Sequence, residues 1–451
     1  MVMHIAIVGG GATGLSAAEE LAQRGATCTI FERDAALGGL AGSFRVDGVY
    51  LEKFYHHLFT SDNASAAMVE RLGLGDKLEW VPTTNSYFIN RIYHLSTPLD
   101  LLRFSAIGFV DRIRLGLLYL RTMFVNDWRA LEEITAREWL VRMAGEGVYN
   151  GVWEPLVRGK FGKYADEVAA VWIWNKLKLR GGSRGKKQEE RLGYLRGGFG
   201  QAIDAWENHL RARGVEILLN SPVEEIRVAN GAATGVVANG QFRAFDRVLV
   251  TTAPEIFNQI APDLPADYRA RLAQIKYLAN VCLVMRLDRS LSDTYWLNVG
   301  DPTIPFTGVI EHTNMQRPEI YGGAHLAYLS RYMAPDDPYY QMSPEELLAA
   351  YLPHLQKMFR GFSRDWVKEV WAWRERYTQP VIGLRYSELK PPFKTPVANL
   401  WLCCMAQVYP EDRGINYAIV FGQRAAAEMM RDGGGEMAQD QVAARASATV
   451  S

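Results

Sequence analysis

No stretch of this sequence reaches the ~18 uncharged apolar residues that a membrane-crossing helix needs, because Lys, Arg, Asp and Glu interrupt every candidate. Cysteine is sparse. The four present, Cys28, Cys282, Cys403 and Cys404, form no C-x-x-C pair and no disulfide-like framework, which speaks for a reducing cytoplasm and against dithiol redox chemistry. Charge of one sign is missing too: 50 Lys and Arg offset 50 Asp and Glu, so no long-range field favours nucleic acid as a partner. No internal repeat of fixed period is visible. The first strand-like run starts at His4, so no signal peptide is expected. A chain of 451 residues can bury two cores and suits two interleaved domains better than one.

Glycine, by contrast, is plentiful at 40 residues, and a glycine triplet in such a chain means little without context. Here the context is specific. Ile5-Ala6-Ile7-Val8 reads as a buried parallel strand, Gly9-Gly10-Gly11-Ala12-Thr13-Gly14 follows as G-x-G-x-x-G, and Leu15 to Arg24 reads as a helix stopped by Gly25. Gly9 permits the tight turn, Gly11 the close approach of backbone to a pyrophosphate, and Gly14 the packing of helix on strand. Unpaired amides and the positive dipole end of that helix favour phosphate. A second strand, Thr27 to Phe31, ends at Glu32, where a carboxylate accepts hydrogen bonds from ribose hydroxyls and repels a 2'-phosphate. A dinucleotide other than NADP is therefore expected at the amino terminus.

The remaining organisation reads as discontinuous. Helical patterns dominate from about 91 to 195, including Leu99 to Phe104 and Ile113 to Phe124, and close in a basic, glycine-rich loop from Lys176 to Arg191. A helix at Ala202 to Arg213 and strands at Val215 to Leu219, Pro222 to Val228, Gly235 to Ala238 and Phe245 to Thr252 follow. A β-rich stretch runs from Asn280 past Tyr328, then two helices near Pro344 to Met358 and Arg364 to Val370. Leu400 to Cys404 reads as a strand and Asn416 to Arg431 as a helix, and residues 433–451 are expected to be disordered.

The glycine fingerprint, Glu32-Arg33, Gly38-Gly39, Leu195-Arg196-Gly197-Gly198, Val223, Asp246 to Pro254 and Gly422 to Ala426 together resemble the FAD-dependent amine oxidase superfamily, which includes monoamine oxidase, protoporphyrinogen oxidase, phytoene desaturase and, more distantly, UDP-galactopyranose mutase. The resemblance implies an α/β fold in which a Rossmann-type FAD-binding domain, GR2-like with the p-hydroxybenzoate hydroxylase-like layout, is interleaved with an α+β substrate domain. The FAD-binding domain would comprise 1–90, 195–275 and 391–432, the substrate or cap domain 91–194 and 276–390. It also implies FAD. Glu32 would hold the adenosine ribose; Arg33, Gly38, Gly39 and Leu40 would lie along the ribose, pyrophosphate and ribityl chain; Val223 would contact adenine through its backbone. The backbone of Asn416, Tyr417 and Ala418 would lie near flavin N1 and O2, with Gln407 in the segment just before.

Departures from the family pattern shape the expected chemistry. Met405-Ala406-Gln407 stands where relatives carry Ala-Gly-Asp or Ala-Gly-Glu. No lysine occurs in Ala279 to Val284, where monoamine oxidases hold a water near flavin N5, and Gly414 takes the place of one of their substrate-lining aromatics. Dehydrogenation or desaturation of another small molecule is therefore favoured over amine oxidation, with an unspecified electron acceptor; non-redox isomerisation of a nucleotide sugar, as in the mutase, is the alternative. Cys403 and Cys404 miss the flavin-linking position, so FAD is expected to be non-covalent.

Three further features keep two readings each. His56 and His57, in Phe54-Tyr55-His56-His57-Leu58-Phe59, are either a general base or substrate-binding group with a pKa near working pH, His57 slightly preferred, or histidines bonded to backbone in a turn. Adjacent histidines without a third ligand nearby do not suggest a metal site. Lys176, Lys178, Arg180, Arg184, Lys186, Lys187 and Arg191 either hold a phosphate or carboxylate or form a solvated loop. Leu101 to Phe124, with Arg103, Arg112, Arg114 and Arg121, either rests on the inner face of a membrane or packs inside the substrate domain. Trp128, Trp139, Trp153, Trp172, Trp174, Trp371 and Trp373 are expected mainly in cores.

Overall fold

The computed structural model describes residues 2–125, 127–182 and 190–432. The apolar run near the amino terminus forms strand β1 (His4–Val8), in which Ile5, Ala6 and Ile7 are fully enclosed. A strand covered on both faces belongs inside a parallel sheet. Accordingly β1 is the middle of five parallel strands, with β2 (Thr27–Phe31) and Glu216–Leu218 on one side and Arg247–Val250 and Leu400–Leu402 on the other. Helix α1 (Ala12–Gln23) returns the chain from β1 to β2.

This sheet joins segments that are distant along the chain. The C-terminal helix, Ile415–Arg431, lies directly against α1, and a Cβ on Gly422 would sit only 2.5 Å from the Thr13 carbonyl oxygen. The Ser16 hydroxyl donates to the Ile419 carbonyl at 2.8 Å. Glycine at 422 therefore sets the approach of the two helices.

A second, mostly antiparallel sheet has seven strands in the order Val367–Pro380, Tyr277–Leu287, His325–Met333, Gly308–Glu311, Trp296–Val299, Asn85–Phe88 and Ile92–His94. Asn85–Phe88 thus pairs in this sheet although it precedes the division drawn at residue 90. Helices Phe109–Met123, Ala136–Ala144, Glu154–Phe161 and Ala170–Gly182 enclose a separate core containing Trp139, Trp153, Trp172 and Trp174.

Two sequence expectations are corrected. Arg364 to Val370 is not a helix: after the short turn Arg364–Trp366 the chain enters the 14-residue strand Val367–Pro380. Val367, Val370, Trp371, Trp373 and Tyr377 suit a pleated surface, and pairing with Tyr277–Leu287 decides the conformation. The basic run from Lys176 is not one loop either. Lys176, Lys178 and Arg180 lie on the helix Ala170–Gly182, and Arg191 lies in the strand Glu190–Leu195. Arg184, Lys186 and Lys187, like the tail 433–451, are outside the described residues. No helix among the described residues is long and apolar enough to cross a membrane.

Candidate functional site

At the carboxyl end of β1 the chain turns at Gly9, whose φ of +110° is open to glycine but strained for other residues. Gly11 then caps α1 without a side-chain hydrogen bond, and no acidic side chain stands in the first turn. The same is true of the C-terminal helix, capped by Gly414. Two positive helix ends, both lacking side-chain caps, thus open onto one cavity of about 460 Å³, lined by Gly11, Ala12 and Thr13 from one helix and by Gly414, Ile415 and Ala418 from the other. Such a pair of ends suits an anionic, elongated ligand.

The walls agree with that chemistry. A Cβ on Gly11 would meet nothing nearer than the Gly38 carbonyl oxygen at 3.9 Å, so the space before it is open, whereas a Cβ on Gly14 would lie 2.0 Å from the Gly9 oxygen. Gly14 is a packing glycine and does not line the cavity. Glu32 does, and its carboxylate accepts hydrogen bonds from the Gly10 amide at 2.7 Å and the Asp34 amide at 2.9 Å. Burial raises the Glu32 carboxyl pKa, partly offset by those two amides. Thr252 and Trp373 also line the cavity, and Thr252 Oγ1 and Trp373 Nε1 are buried without a hydrogen-bond partner among the described residues. Cys404 also lines the cavity, and burial pushes its thiol up to about 12, which keeps it from acting as a nucleophile.

Of the other residues singled out in the sequence, Gly9, Arg33, Gly38, Gly39, Leu40 and Val223 line the same cavity. Gln407, Asn416 and Tyr417 do not. Gln407 is buried and ties together its own loop, accepting from the Cys404 amide and donating to the Pro391, Pro392 and Leu402 carbonyls. The Asn416 side-chain oxygen accepts from the Ala64 and Ser65 amides, holding the start of helix Asn63–Arg71. Trp373, one of the tryptophans expected mainly in cores, lines the cavity, and sequence reading missed Lys53, Tyr277 and Arg413 there. Lys53 adjoins the singled-out histidine segment, but nothing local marks the other two.

His56 lines the cavity, whereas His57 meets Phe59, Tyr295 and Trp296, with Nδ1 3.1 Å from the Tyr295 hydroxyl. His56 Nδ1 lies 2.6 Å from the Phe54 carbonyl oxygen, which can only accept, so Nδ1 carries the proton and Nε2 is left as an acceptor. The expected pKa near working pH is not found. Burial, aided by Arg413, pushes His56 down to about 4. Burial, with Arg180, His56 and Lys176, pushes His57 to about 3.

This has a measurable consequence. Both imidazoles stay neutral in the fold while the unfolded chain takes up protons near pH 6.5, so their contribution is complete above that pH and is lost as the pH falls towards 4. Urea unfolding at pH 5 and pH 8 should show about 2 kcal/mol lost per histidine, and His57→Asn should flatten the acid limb. An unchanged limb in that variant would refute neutral burial of His57.

Residues 12–430 match the family model of flavin containing amine oxidoreductase. The chain is 23% identical over 453 residues to the coproporphyrinogen III oxidase of Propionibacterium freudenreichii subsp. freudenreichii, covering 84% of this chain and 82% of the relative. Among solved structures, a putative protoporphyrinogen oxidase from Exiguobacterium sp. 255-15 superposes with a TM-score of 0.76 at 19% identity, over 96% of this chain and 99% of that one. A reduced UDP-galactopyranose mutase superposes with a TM-score of 0.74 at 15% identity, over 96% and 97%. At these identities the structural likeness speaks for the fold alone.

Proposed function

Because this chain belongs to the family of flavin-containing amine oxidoreductases and is an FAD-dependent oxidoreductase, we propose that it dehydrogenates a small molecule bearing an anionic group, held beside a non-covalently bound FAD at the Arg413 end of the cavity. The observation that carries this reading is the convergence of two positive helix ends, far apart in sequence, on one cavity bounded by Arg413 and His56. In this proposal Gly9, Gly11, Ala12 and Thr13 cradle the pyrophosphate, Glu32 takes the ribose, and Gly38 to Leu40 flank the dinucleotide. Val223 borders adenine, and the amides at Gly414 to Ala418 stabilise negative charge on the isoalloxazine. Bound FAD would supply the hydride acceptor. The protein orients the substrate and excludes water. His56 presents a neutral nitrogen that accepts a hydrogen bond from a polar group of the substrate, and, since its pKa lies at about 4, the proton lost with the hydride passes to solvent on product release rather than to His56.

Anaerobic mixing with candidate anionic substrates tests this reading. Net bleaching of the flavin absorbance supports dehydrogenation. The second reading, isomerisation of a nucleotide sugar, draws on the cations around Arg413, which also suit a diphosphate, and predicts turnover only after prior reduction, with no net electron flow.

Peripheral membrane association forms part of the proposal. Helices Pro98–Arg103 and Phe109–Met123 leave Leu99, Leu102, Phe109, Val110, Ile113, Leu117 and Leu120 exposed, as is Phe124 just after the second; Phe109 and Leu120 are 62% accessible and Phe124 81%. Such a stripe exceeds scattered surface apolarity, and Arg103, Arg112, Arg114 and Arg121 around it, against Asp100 and Asp111, suit anionic headgroups. The protein should co-sediment with phosphatidylglycerol vesicles more than with phosphatidylcholine vesicles, and Phe109→Glu with Leu120→Glu should weaken this roughly tenfold or more. Absence of sedimentation, or a self-association abolished by the same substitutions, would contradict it.

A further inference from the structure

Arg413 lines the cavity, and the fold gathers near it further cations, Lys160, Lys176 and Arg180, that do not line it. Trp172, Lys176 and Arg180 recur every four residues along the helix Ala170–Gly182 and so share one face. The Lys176 ammonium pairs with the Asp412 carboxylate, which also accepts from Trp172 Nε1 at 3.2 Å. Arg180 donates to Asn85 Oδ1 at 3.2 Å and lies 5.5 Å from the Trp296 ring. Arg413 donates to the Tyr332 hydroxyl at 2.9 Å and to Gln379 Oε1 at 3.1 Å. Glu190, bonded to the Asn85 amide, is the second carboxylate here.

Lys160 is the most telling member. Its ammonium stands 4.7 Å from the Tyr332 ring and 4.9 Å from the Trp172 ring, and among the described residues it has neither an ion pair nor a hydrogen bond. Four cations thus face two carboxylates inside aromatic walls. Burial, together with Lys176, Arg413 and Arg180, holds the Lys160 ammonium well below its ordinary pKa, with Asp412 opposing. Burial disfavours the charge on Asp412 as well, yet Lys176, Lys160 and Arg413 outweigh it and hold that carboxyl well below the usual range. No carboxylate among the described residues pairs with Lys160, and the four cations, each only partly enclosed, outnumber the two carboxylates beside them, which leaves positive charge for an anion to neutralise.

We propose that Lys160, Lys176, Arg180 and Arg413 form an oxyanion subsite that takes a carboxylate or phosphate group of the substrate and so anchors it beside the flavin site. This rests on reading the adjoining cavity as the flavin site. The cluster spans helices Glu154–Phe161 and Ala170–Gly182 and the residues just before the C-terminal helix, so one anion ties together three elements around the reacting end. Bidentate Arg geometry and a movable ammonium are the usual donors to such groups.

Thermal unfolding of the holoenzyme in inorganic phosphate, diphosphate or succinate, at constant ionic strength, tests the subsite. At least one probe should raise Tm saturably, and the more effective arm identifies phosphate or carboxylate as the preferred chemistry. Lys160→Met should raise Tm in the absence of anion, by removing the unpaired charge, yet weaken the probe roughly tenfold or more with FAD content unchanged. Arg180→Met should weaken it similarly, while Lys394→Met, on the exposed surface, should not. No saturable shift with any probe, or equal shifts in wild type and Lys160→Met, would overturn the proposal. Because Tm is read on the protein itself, failure to take up FAD is told apart from failure to bind the anion.

Discussion

Gly11→Val should yield a stable protein that binds FAD far more weakly, whereas Gly14→Val should yield one that is itself unstable. The two positions lie three residues apart in one motif, and the space around each separates their roles. At Gly14 a Cβ would approach the Gly9 carbonyl oxygen to 2.0 Å and Ile7 Cγ2 to 3.4 Å, contacts within the strand–helix junction that backbone cannot relieve. Overpacking there should cost about 3 kcal/mol or more, with loss of flavin as a by-product. At Gly11 the nearest atom is 3.9 Å away, across open cavity, and the capping backbone is extended, so a side chain fits the protein but stands where the ligand belongs. FAD affinity should fall roughly 100-fold, equivalent to about 3 kcal/mol, while the urea midpoint stays within error of wild type. Equal destabilisation by both substitutions would show that Gly11 is merely structural.

Glu32→Ala should weaken FAD binding roughly 10- to 100-fold, and Glu32→Arg should abolish retention through dialysis. The carboxylate organises the loop by accepting from the Gly10 and Asp34 amides, so its removal leaves two donors unpaired in addition to any lost ribose contact. Glu32→Gln keeps the shape and one acceptor oxygen and should fall between wild type and Glu32→Ala. Fluorescence titration of apoprotein with FAD reads all three. A fully yellow Glu32→Arg protein after dialysis would place the ribose elsewhere.

What was legible in the sequence was what is decided locally. Ile5 to Val8, the glycine turn and the following helix announce themselves within about 25 residues, because a doubly buried strand, a positive-φ turn and an amphipathic helix each leave a pattern. The strand Val367–Pro380 was misread because its start resembles a helix and its partner, Tyr277–Leu287, lies some 90 residues away. Asn416 and Gln407 show a different limit: their side chains serve the fold, Asn416 accepting from the Ala64 and Ser65 amides and Gln407 bonding within its own loop, and residue type alone does not announce those partners. The Lys160 cluster is half legible: Lys176 and Arg180 stand in the basic run that the sequence offers to a phosphate or carboxylate, whereas nothing local marks Lys160 or Arg413. Its members come from 160, 176, 180 and 413, and only the packing of three elements brings them together.

The most direct test of the account is amide hydrogen exchange of the apoprotein with and without FAD. Slowed exchange at both Gly9 to Thr13 and Gly414 to Ala418 on adding one equivalent of FAD is the expected result, since both helix starts border one cavity. Protection confined to one of the two segments, or a colourless protein that takes up no FAD, would contradict it.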